Sequence, residues 1–372
     1  MRKALPVLLA LLLALPGGLL HAQPSKKFWS SGPLSWKDYR QNIHVVDDSD
    51  ECANSFSWET KDTTQEFGNL LVHRITSNVY LNRKESWVDP VYASDWLLRA
   101  NQLYFDLNEL QCRKMLRDIY DPEVNFGAAF LQDYYIGLTA AKISEINITA
   151  DHGRDTDAIA YYETVIQSQL MALPRSEYNP AALKKGKHGL GIRMGLTGEF
   201  FLGEPAEYLS PAISMDFGLK YYYRKAMFEL QFLVGALSVK KDFSTSSYTF
   251  YEDSSMSDLQ ANFIAGYSIY DGRVVRIAPY AGIGYNSLSY APDDEDASTR
   301  FGPGGLRYMA GVETDFKVLR DAYLYPDDRS ITEHSVTLRL YGARTGFSAG
   351  LDGYSINVGL CYSFNGWMLK AW

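Results

Sequence analysis

Residues Ala226–Val239 read AMFELQFLVGALSV. Phe228, Leu230, Phe232, Val234 and Ala236 fall on one side of an extended chain, and Glu229, Gln231 and Gly235 on the other. Successive side chains of a strand point to opposite faces, so this alternation predicts a strand with one apolar and one polar face. Tyr354–Phe364, YSINVGLCYSF, repeats the pattern, with Tyr354, Ile356, Val358, Leu360, Tyr362 and Phe364 set against Ser355, Asn357, Gly359, Cys361 and Ser363. Eight segments alternate in this way, at about 188–202, 208–223, 226–240, 258–270, 274–289, 305–317, 333–345 and 353–364.

The connections alternate as well. Tight turns are expected at Arg224-Lys225 and Asp271-Gly272, and long polar connections at Asp242–Ser257 and Ala291–Gly305. Short turns on one side and long loops on the other are the pattern of an outer-membrane barrel. The stretch Val318–Thr332 reads as a connection too long for the short-turn side.

The polar faces carry Arg193, Glu199, Asp216, Lys220, Glu229, Arg276, Glu313, Asp315 and Arg339. A soluble antiparallel sheet would need a second layer over its apolar face, and no segment remains to provide one. Closure into a ring removes open edges and satisfies every backbone group inside a bilayer. The fold expected here is therefore an all-β antiparallel transmembrane barrel of about eight strands. Eight strands enclose just enough room for side chains, so the nine charged residues should pair as a packed network rather than line a channel. Tyr221, Tyr267, Tyr285 and Tyr362 fall on the apolar side, where interfacial aromatics belong.

The segment INVGLCYSF resembles the terminal strand signal of outer-membrane β-barrel proteins, which alternates and ends in an aromatic residue. Here either Phe364 or, after NGWMLKAW, Trp372 fills that place. Residues 1–22 have a basic start at Arg2-Lys3, an apolar run to Leu15 and small residues before Gln23, the pattern of a signal peptide. The organisation expected is a signal peptide at 1–22, a periplasmic domain at 26–175, a linker at 176–187 and an outer-membrane barrel at 188–372. The formal net charge of −8 and the lack of a basic block argue against nucleic acid as a partner. Three cysteines exclude a disulfide-built scaffold. Cys52 and Cys112 are a candidate pair if the compartment is oxidising. An acidic run at 293–296 reads as a solvated loop or, less simply, a calcium site.

The N-terminal segment mixes alternating stretches between Asn69 and Val88 with helical ones at about 94–118, 130–146 and 156–173, an α+β class. It resembles a family of secreted zinc-protease-like domains. Trp29, Leu34, Trp36, Asp38 and Tyr39 match that family's opening segment, and Ser86-Trp87-Val88 its strand end. Leu97, Leu98, Gln102, Phe105, Asp106, Glu109, Arg113 and Lys114 match its metal-binding helix, and Asp151-His152-Gly153 a later motif. The resemblance implies a zincin-like helix core. In that family two histidines one helical turn apart hold zinc, and a glutamate beside the first serves as general base. Those places here hold Ala100, Tyr104 and Asn101. Alanine has no lone pair, an amide is no base, and Tyr104 would ligate only as a phenolate. Glu109 and His152 remain as residual metal candidates.

The expectation is thus a pseudoenzyme with no catalytic residues and no cofactor. It would bind partner proteins as an accessory subunit of an envelope export or outer-membrane assembly complex, with outer-membrane lipid around its barrel. The alternatives are an active periplasmic zinc peptidase with an atypical site, and a surface protein binding through its long extracellular loops.

Overall fold

The structure is a computed structural model describing residues 25–45, 51–121, 123–124, 126–175, 183–244, 249–290, 300–347 and 351–370. The expected signal peptide, most of the expected linker, the acidic run at 293–296 and Trp372 lie outside the described residues. The chain divides into two compact units, and the division cuts through secondary-structure elements rather than falling at one linker. One unit holds residues up to Thr60 together with 77–114 and 132–174, and the other holds 61–76, 115–131 and 175–372.

The first unit begins with β1 (Lys26–Phe28), which pairs with the end of a long hairpin formed by β2 (Phe56–Phe67) and β3 (Leu70–Asn82). The helices α1 (Asp95–Tyr120), α2 (Ala128–Thr149) and α3 (Thr156–Ala172) follow. Leu103, Leu107 and Leu110 of α1 share a core with Ile146 of α2 and with Ile159, Ile166 and Leu170 of α3. Asp155 caps α3, its carboxylate accepting from the amides of Asp157 and Ala158, a contact worth about 1 kcal/mol.

The second unit contains a closed ring of eight antiparallel strands. These are β4 (Lys185–Gly203), β5 (Ala212–Tyr223), β6 (Ala226–Ser238), β7 (Ser255–Tyr267), β8 (Val275–Tyr290), β9 (Arg300–Leu324), β10 (Arg329–Thr345) and β11 (Gly353–Leu369). Each pairs with the next, and β11 returns to β4. All eight alternating segments of the sequence are strands of this ring. Side chains such as Leu196, Met215, Leu230, Phe263, Ile283 and Leu340 stand exposed on the outside. Tyr221, Tyr267, Tyr285 and Tyr362 share that outer surface, and the Tyr221 and Tyr362 hydroxyls meet Nδ1 of His188 and His334 at 2.7 and 2.6 Å.

Two sequence expectations are corrected. Val318–Thr332 is not a long connection: β9 continues to Leu324 and β10 starts at Arg329, leaving only 325–328 as turn. A register shift between Lys317 and Leu319 reverses the inward phase, which is why strict alternation stops at 317. Gly302–Gly305 is strand rather than loop, with Gly304 opposite Ser287 and Gly305 opposite Asn286.

Past Phe316, where pairing with β8 ends, β9 stands above the ring as a lip with one bare edge. Residues Leu70–Arg74 of β3 cover that edge in parallel, opposite Arg320–Leu324. An uncovered strand edge invites pairing with other chains. Asn69 strengthens the seam, its amide donating to the carbonyl oxygens of Arg273 and Lys317. Leu70 and Val72 pack with Ala322, Leu324, Ile331 and Trp367 in one apolar cluster. Arg329 donates to the carbonyls of Ile119 and Asp121, tying the end of α1 to the same lip. Val72 is fully buried, so Val72→Ala should lower stability by about 2 kcal/mol. Urea unfolding of the detergent-solubilised protein measures this, and an unchanged midpoint would mean that the strand does not pack on the lip in solution.

Candidate functional site

Among the described residues, two places gather chemically capable side chains, the interior of the barrel and the helix α1. In the interior, the structure brings together all nine charged residues picked out by alternation. Arg193 grips Asp216 with two nitrogens at 2.8 and 2.9 Å and reaches Glu229 from Nε at 3.1 Å. Arg339 lies 3.4 Å from Glu229 and 3.5 Å from Glu313, and Lys220 2.6 Å from Glu313. Arg276 pairs with Asp315, approaches Glu313 at 3.4 Å and donates to the Tyr222 hydroxyl at 2.8 Å. Glu199 pairs with Arg307 at 2.7 Å. All of these side chains are buried.

Arg307, Asp258, Lys317 and Glu333 were not singled out in the sequence although they belong to the same interior. Arg307 and Lys317 share the parity of Glu313 and Asp315, Glu333 shares that of Arg339, and Asp258 is opposite in parity to the outward Tyr267, so the alternation carries the signal. At the short-turn end, Lys317 lies 3.0 Å and Lys185 2.8 Å from Glu333. Among the described residues, apolar side chains cluster toward both ends of the ring. Tyr222, Met227, Ile264 and Trp367 pack near the short turns, and Phe201, Leu237, Met256, Leu288 and Phe347 near the long loops.

In the first unit, the positions of the expected zinc site are packed. Ala100 is buried, and a Cβ placed on Gly153 would lie only 2.7 Å from the Ala100 Cβ. Asp151, His152 and Gly153 adopt left-handed φ values of 44°, 54° and 93°, and this turn lays its backbone directly on Ala100. The space that an imidazole at position 100 would need is thereby filled. The buried Asn101 amide oxygen accepts from Asn54 at 2.9 Å, and Asn54 in turn accepts from the Tyr39 hydroxyl at 2.8 Å. Tyr104 donates to Asn147, and burial pushes its phenol up to about 12, so it stays a phenol at neutral pH.

His152 is exposed, whereas Glu109 is fully buried and bonded to Arg113 at 2.8 Å. Glu109 lies nine residues beyond Ala100, about 13 Å along the helix axis. Among the described residues no three His, Cys, Asp or Glu side chains gather as a metal site. Cys52 and Cys112 are not joined to each other. Cys52 lies against Asn101 at 3.7 Å and Cys112 is buried.

The matching residues of the resemblance hold the unit together. Asp106 accepts from Trp29, Gln102 and Gln167, each at 2.7 Å, and Gln102 accepts from the Leu34 amide at 2.7 Å. Arg113 donates to the carbonyls of Leu170 and Leu173 at 3.0 and 2.9 Å, closing the C-terminal end of α3. A half-open cleft of about 310 Å³ is lined by Leu107, Leu110, Leu138, Tyr161, Val165 and Ile166.

No family model matches the chain, and no curated protein matches it. Solved structures similar to it include Neisserial surface protein A, at 12% identity over 49% of this chain and 97% of that one, with a TM-score of 0.30. The N-terminal β-barrel domain of OprF from Pseudomonas aeruginosa is similar at 11% identity, covering 49% and 99%, with a TM-score of 0.27. Ail, the attachment invasion locus protein of Yersinia pestis, is similar at 11% identity, covering 49% and 100%, with a TM-score of 0.28. Likeness at this level carries no weight of its own. The barrel here rests on its own closed ladders.

Two measurements check the packing of the first unit. Ala100→His forces an imidazole against Gly153 and should cost about 1–3 kcal/mol, as overpacking does. Thermal unfolding with and without zinc tests it, and a zinc-dependent gain in stability would contradict the packing. Burial holds the Asp106 carboxyl above the ordinary aspartate range, against the pull of Trp29, Gln102 and Gln167, and the Glu163 charge pushes the same way. The folded state therefore binds this proton more tightly than the unfolded chain. That contribution is present below the ordinary aspartate value and is lost as pH rises through the raised one. Asp106→Asn should flatten this part of the stability–pH curve followed by tryptophan fluorescence.

Proposed function

We propose that this chain is an outer-membrane protein that acts through contacts, its barrel an anchor and its N-terminal unit a non-catalytic periplasmic domain. The observation that carries the reading is the filled interior. Ion pairs occupy the middle of the lumen and apolar side chains cluster toward both ends. An interior packed in this way offers no path for solute. The apolar outer belt with tyrosines among it suits lipid.

For the N-terminal unit, support comes from Gly153 packed on Ala100 and from an amide at the place of the general base. What remains there is a helical surface with a cleft, suited to a partner protein of the envelope. The assignment to an accessory subunit of an export or outer-membrane assembly machine is the finest grain of this proposal.

The test is purification of the full chain from outer membranes in mild detergent, with metal content, co-purifying proteins and planar-bilayer conductance measured on the same sample. The expected result is no unitary conductance steps, no stoichiometric zinc and one stoichiometric protein partner. Discrete steps would overturn the closed barrel. Stoichiometric zinc lost in His152→Ala would replace the binding role with a peptidase. Cleavage of intact cells within 241–257 or 288–304 would place those loops outside, which the proposed orientation requires.

A further inference from the structure

At the short-turn end of the ring, the outer belt of apolar and tyrosine side chains meets a group of exposed cations. Lys187 and His188 stand on β4, Arg224 and Lys225 make up the whole β5–β6 turn, and Arg273 lies in the turn before β8, all of them exposed. The ladders bring the first four together. His188 stands opposite Tyr223, and the Arg224 amide donates to the Lys187 carbonyl at 2.6 Å. The Ser268 amide, just past β7, donates to the Lys225 carbonyl at 2.8 Å. One ring organises the side chains. The His188 ring lies 5.3 Å and the Arg224 guanidinium 5.6 Å from the centre of the Tyr223 ring. His188 Nδ1 is engaged by the Tyr221 hydroxyl, so only Nε2 remains for another ligand.

These cations have no protein counter-charge. The only acid within 184–188, 223–226 and 268–274 is Asp271, and its carboxylate is taken by Lys317 and, at 3.1 Å, by Lys185. Among the described residues, none of Lys187, Arg224, Lys225 and Arg273 forms a salt bridge. The turn also pays in backbone strain for its charge. Arg224 has a φ of 56°, a left-handed conformation that glycine or asparagine adopts more easily, and such residues are the usual choice in a two-residue hairpin turn.

Depth decides what the group can meet. Leu190, Tyr221, Tyr223 and Tyr267 are exposed on the outer wall beside it, and interfacial tyrosines sit at headgroup level. Cations directly beyond them stand at the depth of lipid phosphates, and the short-turn end of such a barrel faces the periplasm. A guanidinium matches a phosphate with two parallel hydrogen bonds, and a lysine adds a point charge. We propose that Lys187, His188, Arg224 and Lys225 bind the headgroup of an anionic phospholipid of the periplasmic leaflet, its acyl chains lying along the belt at Leu190 and Tyr221. The inference rests on the membrane reading of the barrel and is independent of the role proposed for the N-terminal unit.

The test refolds the full chain into vesicles of equal phosphatidylglycerol and phosphatidylcholine, follows insertion by flotation, and weighs the mild-detergent extract by native mass spectrometry. Phosphatidylglycerol should be retained about fivefold over phosphatidylcholine, the effect of one cation beside an anionic lipid surface. The double variant Arg224→Gly, Lys225→Gln should bring the two lipids to parity, and glycine suits the left-handed turn, so folding is kept. Lys240→Gln with Lys241→Gln removes the same charge near the long loops and should leave the preference unchanged. Parity in the wild type, or an equal loss in the Lys240 and Lys241 variant, overturns the site. A preference abolished by inorganic phosphate at equal ionic strength assigns the cations to free phosphate and overturns the lipid. A chain that fails to float with the vesicles overturns the membrane reading and this inference together.

Discussion

A ring of eight strands has room inside for side chains and little else, and in this chain Arg193, Asp216, Glu229, Arg276, Glu313 and Arg339 are among those enclosed. Outside stands an apolar belt, so no charge can turn outward to water. Most inward carboxylates therefore meet a counter-ion across a few ångströms. The small residues of the strands make this possible. A Cβ on Gly218 would strike Glu229 at 2.3 Å and Arg193 at 3.2 Å, so glycine there leaves the guanidinium and carboxylate the width they need. Gly235 does the same beside Ser214, at 2.1 Å. Buried pairs of this kind add little net stability relative to an apolar filling, yet removing one partner typically costs 3–5 kcal/mol. Register is thereby enforced from within: a strand slipped by one residue would turn its charges into the lipid-facing surface.

The same ring creates a liability at one place. β9 runs past the end of its neighbour β8, and the edge of β9 there would be open if nothing paired with it. The strand that covers it comes from some 250 residues earlier in the chain, which is why Lys61–Thr76 belongs to the barrel's compact unit rather than to the unit that surrounds it in sequence. His73 marks the join. It accepts or donates at Thr64 and at Asp321, both 3.1 Å away, and stacks on Tyr323 at 4.6 Å.

All eight strands were legible because period-2 alternation is a local property that burial on one side and lipid on the other enforce residue by residue. The reading stopped short where the structure inserts a register shift at Lys317/Leu319, since one extra residue reverses the phase and makes a strand resemble a loop. Parity also gave the inward charges, including by rights Arg307 and Asp258. It could not give their partners: Lys220 meets Glu313 across 93 positions, a pairing fixed by ring closure alone. Likewise the letters at 100, 101 and 104 show that histidines and glutamate are missing. Only the left-handed turn at Asp151–Gly153 shows what took their space.

The residues that match and those that depart from the zinc-protease-like pattern have different physical work. Gln102, Asp106 and Arg113 fasten the opening segment and the end of α3 to α1, through side-chain bonds that any fold of this shape needs. Their loss would leave buried donors and carbonyls unsatisfied, a cost of about 1–3 kcal/mol each. Positions 100 and 101 carry no such bonds to the opening segment or to α3, and they are filled by what packs best, alanine under a glycine turn and asparagine within an amide chain. A site that had merely lost one ligand would keep its cavity. Here the space beside position 100 is occupied by backbone, which supports the proposed reading of a unit held for its surface.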